Sequence, residues 1–236
     1  MAATAAPDAG DFPVLTVDSR GNARSLRLLA ALVEAEARRF AAVAAAPLAA
    51  ASDLVLAFRG GAGATAAAVP SISVRDFLER IQFFLRFEGT CFVLAGIYLT
   101  RFIRSAAARE AGVLIEPRTA HRLVAAALFL ATKFHGPLSE LPLKWAPVFE
   151  LGSASAIRTS EMTALEWSFL RAIRFHLFVD GGEFLWFCGA LERGPWLPCG
   201  SCGHRKRKAV APGELGEGRW CRRVRACLPP PVLAGN

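Results

Sequence analysis

A run of apolar residues near the middle of the chain sets the first expectation about its fold. The nine residues 123–131 carry no polar side chain, and the charged residues before them lie within the first turns after Pro117. A helix that is apolar on every side has no face for water, so other helices or lipid must surround it. Nine residues at about 1.5 Å rise each are too few for the ~20 that a bilayer requires. The pattern therefore predicts a helix over residues 117–134 at the centre of a helical bundle.

Amphipathic helices are predicted on both sides of this central segment. In each of them apolar residues recur three and four positions apart, with polar residues between them, so one face is buried and the other meets water. These helices are predicted within residues 26–40, 69–87, 91–108, 159–175 and 180–192. Side chains that can cap a helix N-terminus lie at or near the start of four of these segments, namely Ser25, Ser73, Thr90 and Asp180.

Two less regular segments complete the expected fold. Residues 41–69 are rich in Ala and Gly and are interpreted as a linker with one turn around residues 53–58, whereas Trp145 and Phe149 indicate one short helix. Five helices therefore fall between residues 71 and 175, with one flanking helix on each side. Because the alternation of polar and apolar residues that is typical of strands is absent, the predicted fold class is all-α.

Positive charge is concentrated at the C-terminal end of the chain. The whole chain has a formal net charge of +8, and residues 194–236 account for +6 of it, with eight Lys or Arg against two Asp or Glu. The nearly neutral remainder lacks the basic stripe that nucleic-acid binding requires, so no nucleic-acid partner is expected. The predicted organisation is a disordered N-terminus over residues 1–23, a folded domain over residues 24–192 and a disordered basic tail over residues 193–236.

Two candidate features lie in this tail. A compact basic run is either a nuclear-import signal or a solvated cluster of charges, and both interpretations stay open. It consists of Arg205, Lys206, Arg207 and Lys208. Cys199 and Cys202 have the spacing of half a zinc site, but the five residues between Cys221 and Cys227 do not fit its second half. No metal site is therefore expected.

The sequence gives no indication of enzymatic activity. None of the four histidines sits in a nucleophile or metal pattern, and Pro70 interrupts the one glycine-rich motif, at residues 61–66, before a phosphate-binding helix can follow. No cofactor is expected. No secretion, organelle-import or membrane-spanning signal is recognised either, so the expected location is the nucleus and/or the cytoplasm, with reduced cysteines.

Short motifs in a fixed order add a more specific expectation. They are Phe58-Arg-Gly60, Pro70-Ser-Ile-Ser-Val74, Phe77-Leu-Glu-Arg-Ile81, Cys91-Phe-Val-Leu-Ala95, Ile97-Tyr-Leu99, Arg101-Phe102, His121-Arg-Leu123, Ala131-Thr-Lys-Phe134, Glu161-Met162, Leu165-Glu166-x-x-Phe169-Leu170 and Phe175-His-Leu177. Together they make residues 25–190 resemble the plant P-type cyclins, also called U-type, a group similar to the yeast phosphate-pathway cyclin. Many modest motifs in the right order are more specific than any one of them alone.

This resemblance implies a fold and a function. The fold would be a five-helix cyclin box over about residues 70–176. A cyclin performs no chemistry itself, but it forms a heterodimer with a cyclin-dependent protein kinase and pushes the kinase's PSTAIRE-type helix inward. The role would be cell-cycle or nutrient-linked control of division. The residues expected to contact the kinase, carried over by position, are Lys133, Phe134, Glu166 and Phe169.

Two departures from the family pattern keep other interpretations open. Thr100 stands where the family usually has an Asp that would pair with a basic group, for which Arg80 and Arg101 are candidates. The loop within residues 135–157 is longer than its family counterpart and lies next to the expected kinase contacts. A cyclin-fold relic that binds no kinase, and a transcription-factor-like cyclin fold, are therefore the alternatives. Lys133 and Glu166 would then be ordinary surface charges.

Overall fold

The computed structural model describes residues 13–19, 21–41, 52–59, 69–135 and 145–194. Within these ranges the regular structure is helical and no β-strand is present, so the all-α prediction is confirmed. A short 3-10 helix, Pro13–Leu15, precedes the α-helices. The α-helices are α1 (Arg24–Arg39), α2 (Asp53–Arg59), α3 (Val74–Leu85), α4 (Gly89–Arg104), α5 (Ala106–Glu110), α6 (Ala120–His135), α7 (Ala146–Gly152), α8 (Thr159–Ala172) and α9 (Gly181–Glu192).

Helix α6 lies at the centre of this bundle, as the apolar run predicts. Every residue from position 120 to 132 is buried. Helix α4 packs along α6, α8 packs against it as well, and α1, α2 and α3 also contact it. The helix begins at Ala120 rather than at Pro117, because the Thr119 hydroxyl donates to the carbonyl of Leu114 (2.5 Å) and residues 117–119 form a turn. Arg118 and Thr119 thus belong to the turn before the helix, whereas His121 and Arg122 lie buried in its first turn.

Two of the four predicted caps are confirmed and two are wrong. Ser73 accepts a hydrogen bond from the backbone N–H of Asp76 (3.0 Å), and Asp180 accepts one from the N–H of Glu183 (2.9 Å). Ser25 instead lies inside α1, where its buried hydroxyl donates to the carbonyl of Gly89 (2.8 Å) and joins α1 to α4. Glu88, not Thr90, is the N-cap residue of α4.

The predicted helix over residues 91–108 is two helices. Helix α4 ends at Arg104, where Ser105 adopts an extended conformation and accepts a hydrogen bond from the N–H of Ala108 (3.1 Å), which starts α5. Among the described residues between positions 71 and 175, six helices rather than the predicted five are therefore present. A serine whose hydroxyl can satisfy a free N–H favours such a break over continuation of the helix.

Ordered structure begins earlier than the predicted disorder over residues 1–23 allows. Val14 is buried, and the N–H of Arg24 donates to the carbonyl of Thr16 (2.7 Å). Gly21, with φ of +78°, forms the turn that brings this segment back onto α1. Composition did not indicate this segment, because only a few of its apolar residues, Val14 and Ala23 among them, are buried.

Helix α2 lies where the sequence indicates one turn within the linker. Its Phe58 is fully buried, and its Arg59 forms a bidentate ion pair with the buried Glu116 just before α6. Residues 195–236, which include the basic run and Cys199, Cys202, Cys221 and Cys227, lie outside the described residues, and so do residues 136–144. Among the described helices, none has the length and hydrophobicity to span a bilayer.

Candidate functional site

Lys133 and Glu166 meet at one edge of the core. Lys133 lies in the last turn of α6 and Glu166 in the middle of α8, and the Lys133 Nζ is 2.6 Å from the Glu166 Oε1. The side chains are 34% and 14% exposed, so the pair is partly desolvated but open to a partner. Because an ammonium group has three N–H donors, this contact leaves donors of Lys133 able to reach a carbonyl of another chain. The Lys133 Nζ also lies 5.3 Å from the ring centre of Phe129.

Four exposed aromatic side chains lie directly after the two charged residues in sequence or in the segment that follows α8. We call them the aromatic rim: Phe134 (52% exposed), Trp167 (51%), Phe175 (55%) and Phe178 (70%). Phe134 and Trp167 directly follow Lys133 and Glu166 in sequence, and Trp167 packs edge-on against Phe175 with 6.1 Å between ring centres. Clustered exposed aromatic rings on a folded domain mark an interaction surface.

Sequence reasoning missed three members of the rim. A usable signal existed for Trp167, because the inward-facing positions of α8 at 162, 165 and 169 place residue 167 on the outer face of the helix. Because tryptophan is enriched at protein interfaces, an outward-facing tryptophan beside a candidate contact residue indicates an interface. Phe175 and Phe178 follow the helix, where periodicity gives no direction.

The prediction that Phe169 contacts a partner is wrong. Its side chain is fully buried, and its ring stacks on Phe102 at 4.6 Å between centres and meets Phe58 edge-on at 6.3 Å. A residue at this depth offers no atom to another protein. Phe169 therefore supports the interface from beneath, by fixing α8 against α4 and α2.

Arg101 is paired although position 100 holds Thr100 instead of the Asp that is usual in the family. Its guanidinium forms an ion pair with Glu183 (2.5 Å) at the start of α9, and Thr100 donates to the carbonyl of Gly96 (2.9 Å) within α4. Arg80 has no ion-pair partner among the described residues. The substitution at position 100 thus leaves Arg101 paired through a different helix.

Three buried titratable side chains, His121, Cys91 and Cys188, have pKa values that burial shifts toward their uncharged forms. Burial lowers the pKa of His121, whose Nε2 lies 3.0 Å from the carbonyl oxygen of Ile72. Burial also raises the pKa of Cys91 and of Cys188 to about 11, so both remain protonated thiols near neutral pH. Within the described ranges, no group of three His, Cys, Asp or Glu side chains is arranged to hold a metal ion.

Comparison with known proteins identifies the family. The cyclin family model matches residues 27–177, which is more than half of the chain, and the chain therefore belongs to the cyclin family. This membership supports a cyclin regulatory role.

The relatives found by sequence comparison belong to the same group of cyclins that the motifs resemble. The chain is 32% identical over 124 residues to Cyclin-U4-2 of Arabidopsis thaliana, 33% over 124 residues to Cyclin-U4-3 of the same plant, and 32% over 123 residues to Cyclin-P4-1 of Oryza sativa subsp. japonica. Each alignment covers 52% of this chain and 52–53% of the relative, so the chain spans about half the length of the curated relatives it matches. These relatives are U-type and P-type cyclins, and the chain is similar to them at about one third identity.

Proposed function

We propose that this cyclin binds and activates a cyclin-dependent protein kinase through the surface formed by the Lys133–Glu166 pair and the aromatic rim. The observation that carries the proposal is the meeting of these two charges at 2.6 Å on the edge of α6 and α8, beside exposed aromatic side chains. The partner is a kinase with a PSTAIRE-type helix, and the complex is a heterodimer. The cyclin contributes contacts and no chemistry.

The two charged groups suit the recognition of a helix end. Lys133 can donate to the unpaired carbonyls at the C-terminus of a partner helix, and Glu166 can accept from N–H groups of the same segment. In the free protein this partly exposed pair contributes only about 0–1 kcal/mol to folding. Removal of water by a partner strengthens each hydrogen bond of the pair. The pair therefore stabilises the complex more than it stabilises the free chain.

The aromatic rim supplies the apolar part of the contact. An aromatic side chain buries about 150–250 Å² in total, so covering four half-exposed rings removes roughly 400 Å² from water. At about 25 cal/mol per Å² this amounts to ~10 kcal/mol before the costs of association, which are of similar size. The rim therefore supplies affinity, and the two charges fix orientation.

Activation follows from where such a contact would act. In a protein kinase, a lysine that positions ATP must pair with a glutamate on a mobile helix. A rigid cyclin surface that holds this helix inward stabilises the active arrangement. The buried core beneath α6 and α8, which includes Phe169, supplies that rigidity. We extend the proposal to cell-cycle or nutrient-linked control of division, in the nucleus and/or the cytoplasm.

Binding affinity for such a kinase tests the proposal. We expect Lys133→Met and Glu166→Gln each to weaken the complex at least about tenfold, equivalent to about 1.4 kcal/mol. Arg75→Met is the matched control, because Arg75 lies on α3 and pairs with Glu79 (2.8 Å) on its own helix. All variants must show the wild-type helical signal. A wild-type chain that does not bind, or equal affinities for all four proteins, contradicts the proposed surface.

A further inference from the structure

The backbone between α8 and α9 adopts an unfavourable conformation. Arg174 and Phe175 have φ of 53° and 56°, the left-handed region that side chains other than glycine rarely occupy. Such residues persist only where the surrounding structure holds them. We call residues 174–178 the aromatic turn, because they carry two members of the aromatic rim, Phe175 and Phe178.

Side chains of α4 hold three consecutive carbonyls of this turn. Arg101 donates from Nη1 to the carbonyl of His176 (2.7 Å) and from Nη2 to that of Phe178 (2.8 Å). The Tyr98 hydroxyl donates to the carbonyl between them, that of Leu177 (2.8 Å). The two donors lie three residues apart on α4 and therefore project from the same side of the helix. Together they form a carbonyl clamp.

The clamp also connects the turn with the end of α6. The Nε2 of His135 lies 3.0 Å from the Tyr98 hydroxyl oxygen. Because the single hydroxyl proton goes to Leu177, the Nε2 of His135 is the donor in this contact. His135 is two residues from Lys133, so one tyrosine joins the segment that carries Lys133 and Phe134 to the segment that carries Phe175 and Phe178.

This arrangement does not serve core packing alone. The three hydrogen bonds hold the carbonyls of residues 176–178, which directly follow the two left-handed residues, in a turn whose Phe175 and Phe178 side chains are 55% and 70% exposed. A turn selected only for stability would gain by burying these rings or by placing glycine at the left-handed positions. Another protein that covered the turn would bury the exposed rings, and the strained backbone would then serve to present them.

We propose that Tyr98 and Arg101 are positioning residues that hold the aromatic turn in the conformation that binds the partner. The inference rests on the proposed function, because it assigns the turn to the kinase-binding surface. It adds two residues that do not themselves contact the partner. It also makes Phe175 and Phe178 the apolar contacts whose placement depends on them.

Two variants test the clamp. Tyr98→Phe removes only the hydroxyl and keeps the buried ring, and Arg101→Met removes the guanidinium; Arg75→Met is again the control. Hydrogen exchange at the amides of residues 174–178 and kinase affinity are measured at a temperature where every protein is fully folded. We expect faster exchange in this turn for both clamp variants, with affinity reduced about fivefold for Tyr98→Phe and about tenfold or more for Arg101→Met.

The outcomes separate this inference from the function on which it rests. If the wild-type chain binds the kinase and both clamp variants bind within twofold of it, the positioning role is wrong and the kinase-binding function stands. Unchanged exchange in the turn equally overturns the clamp. If the wild-type chain does not bind, the proposed function fails and the positioning role fails with it. A double variant, Phe175→Ala with Phe178→Ala, should lose affinity as Arg101→Met does while its thermal stability stays near wild type.

Discussion

Removing one charge from the buried Arg59–Glu116 pair is expected to destabilise the fold strongly. Glu116 is 1% exposed and Arg59 15% exposed, and the Arg59 Nη2 lies 2.9 Å from the Glu116 Oε2 in a bidentate contact. The pair joins α2 to the residues that enter α6. In Glu116→Gln the guanidinium keeps its burial but loses the opposite charge, and only one amide oxygen is left to accept from it.

The size of the effect follows from this burial. Breaking a buried ion pair by removing one partner costs about 3–5 kcal/mol, far more than the ~0–1 kcal/mol of an exposed pair. Because glutamine can still accept one hydrogen bond, we expect about 3 kcal/mol for Glu116→Gln. In a chain of this size that corresponds to a fall in Tm of roughly 6–12 °C. Arg59→Met leaves the carboxylate without its partner and should cost about 4 kcal/mol.

A double-mutant cycle in urea, followed by far-UV circular dichroism, measures the coupling. The double variant has no uncompensated charge, so its destabilisation should be about 2 kcal/mol smaller than the sum of the two single values. Arg75→Met, which removes an exposed arginine from α3, should change stability by less than about 1 kcal/mol. Single variants that each cost under 1 kcal/mol, or effects that add within about 0.5 kcal/mol, would refute the reasoning.

Three further outcomes follow from buried groups. In Gly96→Ala the new Cβ would lie 2.5 and 2.7 Å from ring atoms of Phe187, so α9 must shift; a loss of about 1–3 kcal/mol in thermal unfolding is expected, and an unchanged Tm contradicts the close packing. Burial lowers the pKa of His121, so as the pH falls the imidazole is protonated in the unfolded chain before it is protonated in the folded one, and the free energy of unfolding decreases below about pH 6.5. His121→Gln should make the stability depend less on pH than in the wild type. Identical pH profiles for the two proteins would contradict this effect of His121. Cys91 and Cys188, with pKa values raised to about 11, should resist alkylation at pH 7.4 until the protein unfolds, as peptide mass spectrometry can show.

The sequence predicts the centre of the fold well because that centre depends on one physical signal. The run at 123–131 has no polar side chain, and no other placement satisfies it. Cap positions were less predictable because a serine hydroxyl has competing acceptors. Ser25 precedes an apolar periodic segment as a cap would, yet in the packed bundle it lies inside α1 and its hydroxyl donates to the carbonyl of Gly89. Ser105, in contrast, was overlooked as a cap inside an apparently continuous helix.

The candidate site was also predictable from the sequence only in part. Lys133 and Glu166 were placed by position within the cyclin pattern, and the packing of α8 against α6 brings them together. Phe169 was assigned to the surface although its helical register placed it inward, and there the register was the better guide. Phe175 is exposed in a turn that begins with two left-handed residues and whose next three carbonyls accept from Tyr98 and Arg101 of another helix. Long-range contacts of that kind leave no local signal in the sequence.

The rate at which an isolated PSTAIRE-type kinase phosphorylates a peptide substrate, measured with and without this cyclin, tests the central claim most directly. If the surface at Lys133 and Glu166 holds the kinase's mobile helix inward, saturating wild-type chain should raise the rate at least about tenfold, since each tenfold step needs only about 1.4 kcal/mol of differential stabilisation. Lys133→Met should then require a correspondingly higher concentration to reach the same rate. A rate that stays at the level of the isolated kinase, at concentrations where the folded chain is in large excess, would contradict the claim.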